Sequence, residues 1–383
     1  ARANALQNQA VADGQLPDPK LGFGAYNLPL YDFSLDQEPM TQLYTRVQQT
    51  FPRGATLRYQ RQHTEWLGKA ELAQAQLARR EIERDLRSTF LELYYQQRAA
   101  RVVEQSRDLF QQLLQITRSH FATGRVSQQD VLQAQLELSR LEDRAAAIDG
   151  DIEEQRARLA RWLGDYAWQP VGASFPVLPE LPALTELEAG LPQHPAVQAA
   201  SAQLQASQEM VKAAREQYKP GWDVGLEYRK RFAEDARGDD LPDMMAAMVT
   251  MDLPLFSGKR QDKRLAASRQ NTEAARQMRE QRLRELRRAL QTEYARWKRL
   301  GEQETLYRER LVGEATDNSA AALHAYQSGV TEFTALMRAR ITELDVRLQD
   351  LRLRVDRAKA QAGLLFLRPE RNVLLVPDAG ANP

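Results

Sequence analysis

The sequence carries the same pattern twice, and this repeat constrains the fold more than any other feature. Residues 16–59 and 218–262 each hold two short stretches bounded by proline and glycine. Equivalent residues are 201 or 202 positions apart: Pro19 and Pro220, Gly24 and Gly225, Val47 and Val249, Pro52 and Pro254. Because an internal repeat sets the architecture of a chain, the two copies should fold alike. The order within each copy predicts two strands, a long helix and a second helix, and neither copy can bury its apolar surface alone.

Each copy continues into a long stretch without proline, which predicts a very long helix. These stretches cover about 54–121 and about 258–326. A helix of that length would extend roughly 100 Å at ~1.5 Å per residue. Helices in globular proteins average three or four turns, so a pair this long indicates an architectural role rather than an enzyme core.

The stretches that follow, about 127–163 and about 330–366, place apolar residues alternately three and four positions apart. This spacing is typical of helices that supercoil around a neighbour. In the first copy only Gln155 interrupts the apolar positions. Gly124 and Gly329 mark the turns, so we expect two antiparallel helical hairpins whose tips point the same way.

Four short stretches alternate apolar and polar residues, which predicts half-exposed strands. In the clearest one, Trp222, Val224 and Leu226 alternate with Asp223 and Glu227. The partner stretch places Met251 on its apolar side. The predicted strands cover about 20–28, 42–51, 221–229 and 245–254.

Two interpretations of the apolar strand face remain open. The face either packs on the helices or meets lipid, and strands of ~9–11 residues have the length of tilted outer-membrane strands. The neighbouring helices show no broad apolar surface that could cover a sheet, which favours lipid. Four strands cannot close a barrel, and open sheet edges are not tolerated in lipid. We therefore expect the chain to oligomerise through its strands, since three copies would supply twelve.

The chain divides on this basis into two repeats, a linker and a tail. The first repeat starts inside a helix, and we expect further sequence before residue 1, with room for a signal peptide or a lipidated N-terminus. The predicted divisions are 1–164 for the first repeat, 165–193 for a proline-rich linker, 194–367 for the second repeat, whose first helix covers about 195–218, and 368–383 for the tail.

Charge and composition exclude several classes of function. The 53 basic and 52 acidic residues nearly balance, so nothing indicates a nucleic-acid partner. The chain has no cysteine, which removes disulfides and thiolate chemistry. It has no phosphate-binding loop or nucleophile motif. We predict no catalytic residues, no cofactor and no enzyme activity.

Methionine and histidine offer weak metal candidates. Met244, Met245, Met248 and Met251 resemble a soft-metal cluster, since thioethers suit copper(I) and silver. Met245 and Met251 fall on the predicted lipid face, however, so we interpret the cluster as apolar strand residues. The histidines have no metal-site spacing. We therefore predict no metal site.

The order strand pair, helical hairpin, strand pair, helical hairpin resembles the outer-membrane efflux protein family of TolC-like channels. The resemblance covers essentially the whole chain. It depends on the duplicated proline junctions, on the segment HPAVQAASAQLQASQEMVKAAREQYKP at 194–220, and on the tips FATGRVSQQDVLQAQ and YQSGVTEFTAL. The block LPDPKLGFGAYNLP is similar to the branch paired with heavy-metal exporters of the resistance–nodulation–division class.

The resemblance implies a mainly helical homotrimer in the bacterial outer membrane. A twelve-stranded barrel in contact with lipid would continue into a twelve-helix tunnel in the periplasm. The linker and the tail would wrap the tunnel midway. The tips would meet a periplasmic adaptor (membrane fusion) protein and an inner-membrane resistance–nodulation–division pump. The channel would then pass heavy-metal ions, drugs or other small molecules passively.

The resemblance also assigns roles to the tips. The turn residues would form adaptor-docking loops, although glycine and a hydroxyl residue also end one helix and cap the next in any hairpin. Asp130 matches an acidic position that in relatives helps to hold the tip closed, and it would fit equally well as a first-turn carboxylate. The docking residues are Gly124, Arg125, Val126, Ser127, Gly329, Val330 and Thr331.

The second tip departs from the family pattern. Where some relatives carry two acids that ring the pore, this chain has Thr334 and Met337. One residue is expected to be missing opposite Arg125. An acidic cation-binding ring is therefore not expected at this tip.

A competing interpretation from another class is a soluble coiled-coil structural or adaptor protein with a small β-domain. The two interpretations differ in what covers the apolar strand face, which is lipid in a channel and protein in a soluble chain. A channel would need detergent for purification and would assemble as a trimer in it, whereas the soluble protein would be a water-soluble monomer.

Overall fold

The structure, a computed structural model, describes residues 1–172 and 174–369. The described chain is mostly helical and contains one four-stranded sheet. Its strands are β1 (Lys20–Tyr26), β2 (Gln42–Phe51), β3 (Gly221–Arg231) and β4 (Met244–Asp252). Its α-helices are α1 (Arg2–Asp13), α2 (Thr56–Ala122), α3 (Gln128–Leu163), α4 (Leu184–Gly190), α5 (Pro195–Glu216), α6 (Gln261–Leu306), α7 (Val312–Gln327) and α8 (Phe333–Phe366).

The chain forms two compact units. One contains Ala1–Gln76 and Pro195–Leu283, with the sheet, α1 and α5. The other contains Leu77–His194 and the described chain from Arg284 onward, with α3, α4, α7 and α8. The long helices α2 and α6 each contribute residues to both units.

The sheet joins the two repeats edge to edge. Its order is β1-β2-β3-β4, and every neighbouring pair is antiparallel. In the central pair, Val47 lies opposite Leu226 and Phe51 opposite Trp222. Because side chains alternate between the faces of a strand, this register places the apolar residues of all four strands on one face.

A side chain of the second repeat caps the start of the long helix in the first. The Glu216 carboxylate accepts a hydrogen bond from the Ala55 backbone N–H at 2.7 Å. Gly54 precedes this residue with φ of 50°, and a Cβ there would lie 1.9 Å from the Glu216 Oε2 atom. Only glycine fits this close approach in a left-handed conformation. A hydrogen bond from Lys219 and the one from Ala55 lower the pKa of Glu216.

The helical unit has a core shared by both repeats. Side chains of α2, α3 and α8 meet in one buried apolar cluster, which includes Phe110, Leu141 and Leu344. The apolar positions spaced by three and four residues supply this cluster, as the heptad argument requires. Gln155, the polar exception, is buried with them at 7% exposure.

The long helix of the second repeat differs from the sequence prediction of one helix over about 258–326. It begins at Gln261, and a π-helical turn at Tyr307–Leu311 separates α6 from α7. A π turn inserts one residue into the α-helical hydrogen-bond pattern and is invisible to a count of apolar spacing. The final helix also begins at Phe333, three residues beyond the predicted start.

The predicted linker contains short helices. They are Gly164–Trp168, Leu184–Gly190 and Leu191–Gln193. Between them Phe175 packs edge to face on Tyr94 with ring centroids 5.4 Å apart. Pro179 accepts a hydrogen bond from Gln361 at 2.8 Å, so this stretch is bound to the helices. The predicted tail, 368–383, lies outside the described residues from position 370 onward.

Candidate functional site

The outer face of the sheet is apolar and uncovered in the described chain. On β3, Trp222 and Val224 are each 41% exposed and Leu226 is 57% exposed. Met251 lies opposite Trp222 on β4 and is 41% exposed. An exposed apolar patch of this extent marks a surface that meets lipid or protein.

The opposite face is polar and internally bonded. Glu227 is 3% exposed and lies opposite Arg46 in the register. Its carboxylate accepts from Arg46 Nε at 2.6 Å and from Arg229 Nε at 2.5 Å. Asp223 accepts hydrogen bonds from Gln48 and Thr50 on β2. Both acids of β3 on this face therefore have partners on the sheet itself.

The four methionines of β4 do not converge. Met248 lies opposite Gly225 on the polar face, whereas Met245 and Met251 pair with Tyr228 and Trp222 on the outer face. Among the described residues, no group of three or more His, Asp or Glu side chains is placed to hold a metal ion.

The first tip closes with a glycine turn. Gly124 has φ of 70°. The Arg125 N–H donates to the His120 carbonyl at 2.9 Å, and the Gly124 N–H donates to Phe121 at 2.9 Å. These bonds satisfy the last carbonyls of α2, which is the usual role of a left-handed glycine after a helix.

Asp130 and Ser127 form a capping box at the start of α3. The Ser127 N–H donates to the Asp130 carboxylate at 2.9 Å, and Ser127 Oγ accepts from the Asp130 N–H at 3.3 Å. Two otherwise unpaired N–H groups are satisfied in this way. The capping role expected for Asp130 is therefore visible, and the gating role stays a prediction.

The second tip has the same turn but a different cap. Gly329 has φ of 71°, and the Val330 N–H donates to the Ala325 carbonyl at 2.9 Å. The next helix begins at Phe333, and the side chain of its N-cap residue Glu332 makes no capping bond.

The residue expected to be missing at the second tip is present. The cap lies three positions after the glycine in both tips, since Ser127 follows Gly124 as Glu332 follows Gly329. The copies therefore differ in chemistry rather than in turn length. The deletion expected opposite Arg125 is therefore absent from the backbone.

The other predicted tip residues differ in exposure. Thr334 is half-buried and its hydroxyl donates to Glu332 at 3.3 Å. Met337 is 1% exposed within the apolar cluster, which favours a packing role. Val330 is 80% exposed, whereas Val126 and Thr331 are half-buried.

The two tips lie beside each other. The His120 and Tyr326 rings are 6.1 Å apart, and Tyr326 packs edge to face on Phe333 at 5.7 Å. Burial raises the pKa of Tyr326. His324 is exposed. The ends of the two hairpins are therefore neighbours.

A charged group that the sequence analysis missed lies between α2 and α8. Glu92 accepts from Arg352 and from Lys359, both on the other repeat. One signal was available: the residues three and four positions from Glu92 on its helix include no base, which leaves the acid without a local cation.

No described helix is long and apolar enough to cross a bilayer. Comparison with known families gives one match. Residues 187–367 match the outer membrane efflux protein family. This range holds the second strand pair and the second helical hairpin.

Solved structures share the fold over nearly the whole chain. A membrane protein from Pseudomonas aeruginosa matches with a TM-score of 0.83 and 16% identity, covering 98% of this chain and 87% of that one. The outer membrane protein VceC from Vibrio cholerae matches with a TM-score of 0.80 and 18% identity, covering 96% and 90%. CusC matches with a TM-score of 0.78 and 15% identity, covering 95% and 86%. The comparison with curated sequences gives no match.

Proposed function

We propose that this chain is the outer-membrane exit channel of a tripartite efflux system. Three copies close a twelve-stranded barrel in the outer membrane, and their helices continue as a twelve-helix tunnel in the periplasm. The channel performs no chemistry and passes substrates that a pump and an adaptor deliver. The efflux-family match over 187–367 and the shared fold support this proposal.

The uncovered outer face of the sheet carries the argument. Its apolar side chains have no helix against them, and the polar face opposite satisfies its acids internally. In the described chain β1 pairs only with β2, and β4 only with β3. Lipid accepts an apolar face but excludes unpaired strand edges. Pairing of β4 with β1 of the next copy would leave no strand edge unpaired and would keep the apolar face toward lipid.

The tips are proposed as the adaptor-docking surface. Both turns are exposed at their glycines, and the two hairpins present them side by side. The proposed docking residues are Gly124, Arg125, Val126, Ser127, Gly329, Val330 and Thr331. Asp130 is proposed to restrain the closed tip through a neighbouring hairpin, in addition to its cap.

The proposed pump belongs to the resistance–nodulation–division class. Its substrates are proposed to be heavy-metal ions, or drugs and other small molecules. Support for the metal comes from the similarity of the block at 16–29 to the heavy-metal branch. Selection of the substrate is proposed to lie in the pump.

Conductance in planar bilayers tests the proposed channel. Protein purified in detergent should insert and give discrete ion-conducting steps. The water-soluble alternative predicts that the chain remains in solution without detergent and never conducts. Steps that vanish when the outer face is charged, as in Val224→Asp, would assign the pore to the sheet.

A further inference from the structure

The second repeat leaves the sheet differently from the first. One residue separates Pro52 from Gly54, whereas three separate Pro254 from Gly258. The longer junction holds Leu255 and Phe256, which are 74% and 88% exposed. Two neighbouring apolar side chains this exposed count as an interaction surface only where they continue a larger apolar patch.

These side chains follow directly on the apolar outer face. Met251 lies on that face, and Leu253 after it is 56% exposed. The Leu255 N–H donates to the Leu253 carbonyl at 3.0 Å, so a tight turn holds the junction in place. The apolar surface thus extends beyond β4 toward the start of α6.

Cations without carboxylate partners come next. Lys259, Arg260, Lys263 and Arg264 are all exposed. Within residues 1–172 and 174–369, none of them forms an ion pair with a carboxylate. The intervening Asp262 instead accepts a hydrogen bond from the Tyr218 hydroxyl at 2.6 Å.

Two other cations near this end of the sheet do form ion pairs, unlike those at 259–264. Arg53 contacts Asp252 at 3.4 Å, and Lys219 contacts Glu216 at 2.7 Å. Residues 259–264 therefore hold four cations without a carboxylate partner in the described chain, next to the exposed apolar junction.

We propose that residues 253–264, here called the anchor segment, bind anionic phospholipids of the membrane leaflet nearest the helices. Leu255 and Phe256 enter the acyl region, and the cations at 259–264 hold headgroup phosphates. Apolar side chains beside lysine and arginine are the arrangement that proteins use at a membrane interface. Each cation near an anionic surface adds favourable electrostatic energy.

Charge complementarity selects lipid over a second copy of the chain. Addition of a neighbouring strand at β4 uses backbone groups and leaves the outer-face side chains uncovered. A protein occupant would have to supply carboxylates to four exposed cations, whereas a leaflet supplies phosphates all around the barrel. The inference rests on the proposed outer-membrane barrel.

Native mass spectrometry of the detergent-purified, lipid-stripped full chain tests it. Phosphatidylglycerol and phosphatidylethanolamine are titrated separately. The wild type should bind phosphatidylglycerol at least about fivefold more tightly. Lys259→Gln with Lys263→Gln should bring the two lipids close to equal affinity. Arg276→Gln with Arg299→Gln, which removes the same charge farther along α6, should keep the preference.

Each outcome separates the two proposals. A trimer with no lipid preference, or one unchanged in the Lys259→Gln, Lys263→Gln variant, overturns the anchor segment and leaves the channel standing. A chain that stays monomeric overturns both. If inorganic phosphate at constant ionic strength displaces phosphatidylglycerol, the segment is a site for free anions, and lipid docking is refuted.

A spin label measures the depth of the anchor segment independently. The chain has no cysteine, so Phe256→Cys gives a single labelling site. In vesicles of phosphatidylethanolamine and phosphatidylglycerol, oxygen should relax this label more than a water-soluble nickel complex does. A label at Arg276→Cys should show the reverse. Nickel access at position 256 matching that at 276 would place the segment in water and contradict the inference.

Discussion

Glu92 and Arg352 form a two-point ion pair between the repeats. Arg352 Nη1 lies 2.9 Å from Glu92 Oε2, and Nη2 lies 3.0 Å from Oε1. Burial alone would raise the pKa of Glu92, but hydrogen bonds from Arg352 and Lys359 together lower it. The Arg352 guanidinium also stacks on Tyr95 at 3.7 Å. This group fixes α2 against α8.

Arg352→Ala should destabilise the helical unit. The change leaves the largely buried carboxylate of Glu92 with one cation fewer and removes the contact with Tyr95. We expect a loss of about 2–4 kcal/mol, somewhat less than the roughly 3–5 kcal/mol for breaking a fully buried pair, because Lys359 still contacts Glu92. Thermal melting followed by circular dichroism measures it. Arg79→Ala, at an exposed pair with Glu83, should leave the melting temperature unchanged. Equal effects of the two changes would refute a structural role for the pair.

Stability should fall in mild acid because of His194. Its side chain is fully buried, its Nε2 lies 3.2 Å from the Phe366 carbonyl, and burial lowers its pKa to about 4. The unfolded chain takes up a proton near pH 6.5, whereas the folded chain does so only near pH 4. The stabilisation is therefore complete above about pH 6.5 and is lost progressively down to about pH 4, roughly 3 kcal/mol in all.

The control for this pH dependence is His194→Gln, which can still donate to Phe366 but does not titrate. Between pH 7.5 and 5.0 the wild type should lose more thermal stability than the variant. Parallel losses in both proteins would assign the acid sensitivity to other groups.

Adjacent residues of β3 should respond in opposite ways to mutation. Val224→Asp puts a charge on the outer face, where lipid penalises it, and should block barrel assembly. Asp223→Asn faces the polar side and can still accept from Gln48, so assembly should continue. An outer-membrane assembly assay compares the two. Equal tolerance would argue against a lipid-facing sheet.

Asp130→Ala should raise single-channel conductance by loosening the closed tip. Ser127→Ala serves as its matched control, because it weakens the same cap but keeps the carboxylate. We expect Ser127→Ala to cost about 1 kcal/mol of helix stability without a change in conductance. Unchanged conductance in both variants would mean that Asp130 only caps α3 and does not restrain the tip.

Periodicity predicted the elements that depend on local pattern. Alternation around Trp222 and Leu226 gave β3 and its outer face, and the three-and-four spacing gave the hairpin core. Long-range features were not accessible in this way. The partners of Glu92 lie 260 and 267 residues away.

Local backbone geometry could not be predicted from the sequence either. Across the π turn at Tyr307–Leu311 the apolar spacing still predicts one continuous helix. At the second tip the deletion expected opposite Arg125 is absent, because the cap Glu332 follows Gly329 at the same distance as Ser127 follows Gly124. In both cases the feature depends on the backbone hydrogen-bond pattern, which the side-chain types do not predict.

The mass of the complex in detergent tests the central claim most directly. The chain has a mass of 43.7 kDa. Native mass spectrometry should give about 131 kDa, three chains, because twelve strands lie within the range of known barrels. The assembly should be lost when detergent is withheld. A water-soluble monomer of 43.7 kDa would contradict the channel outright.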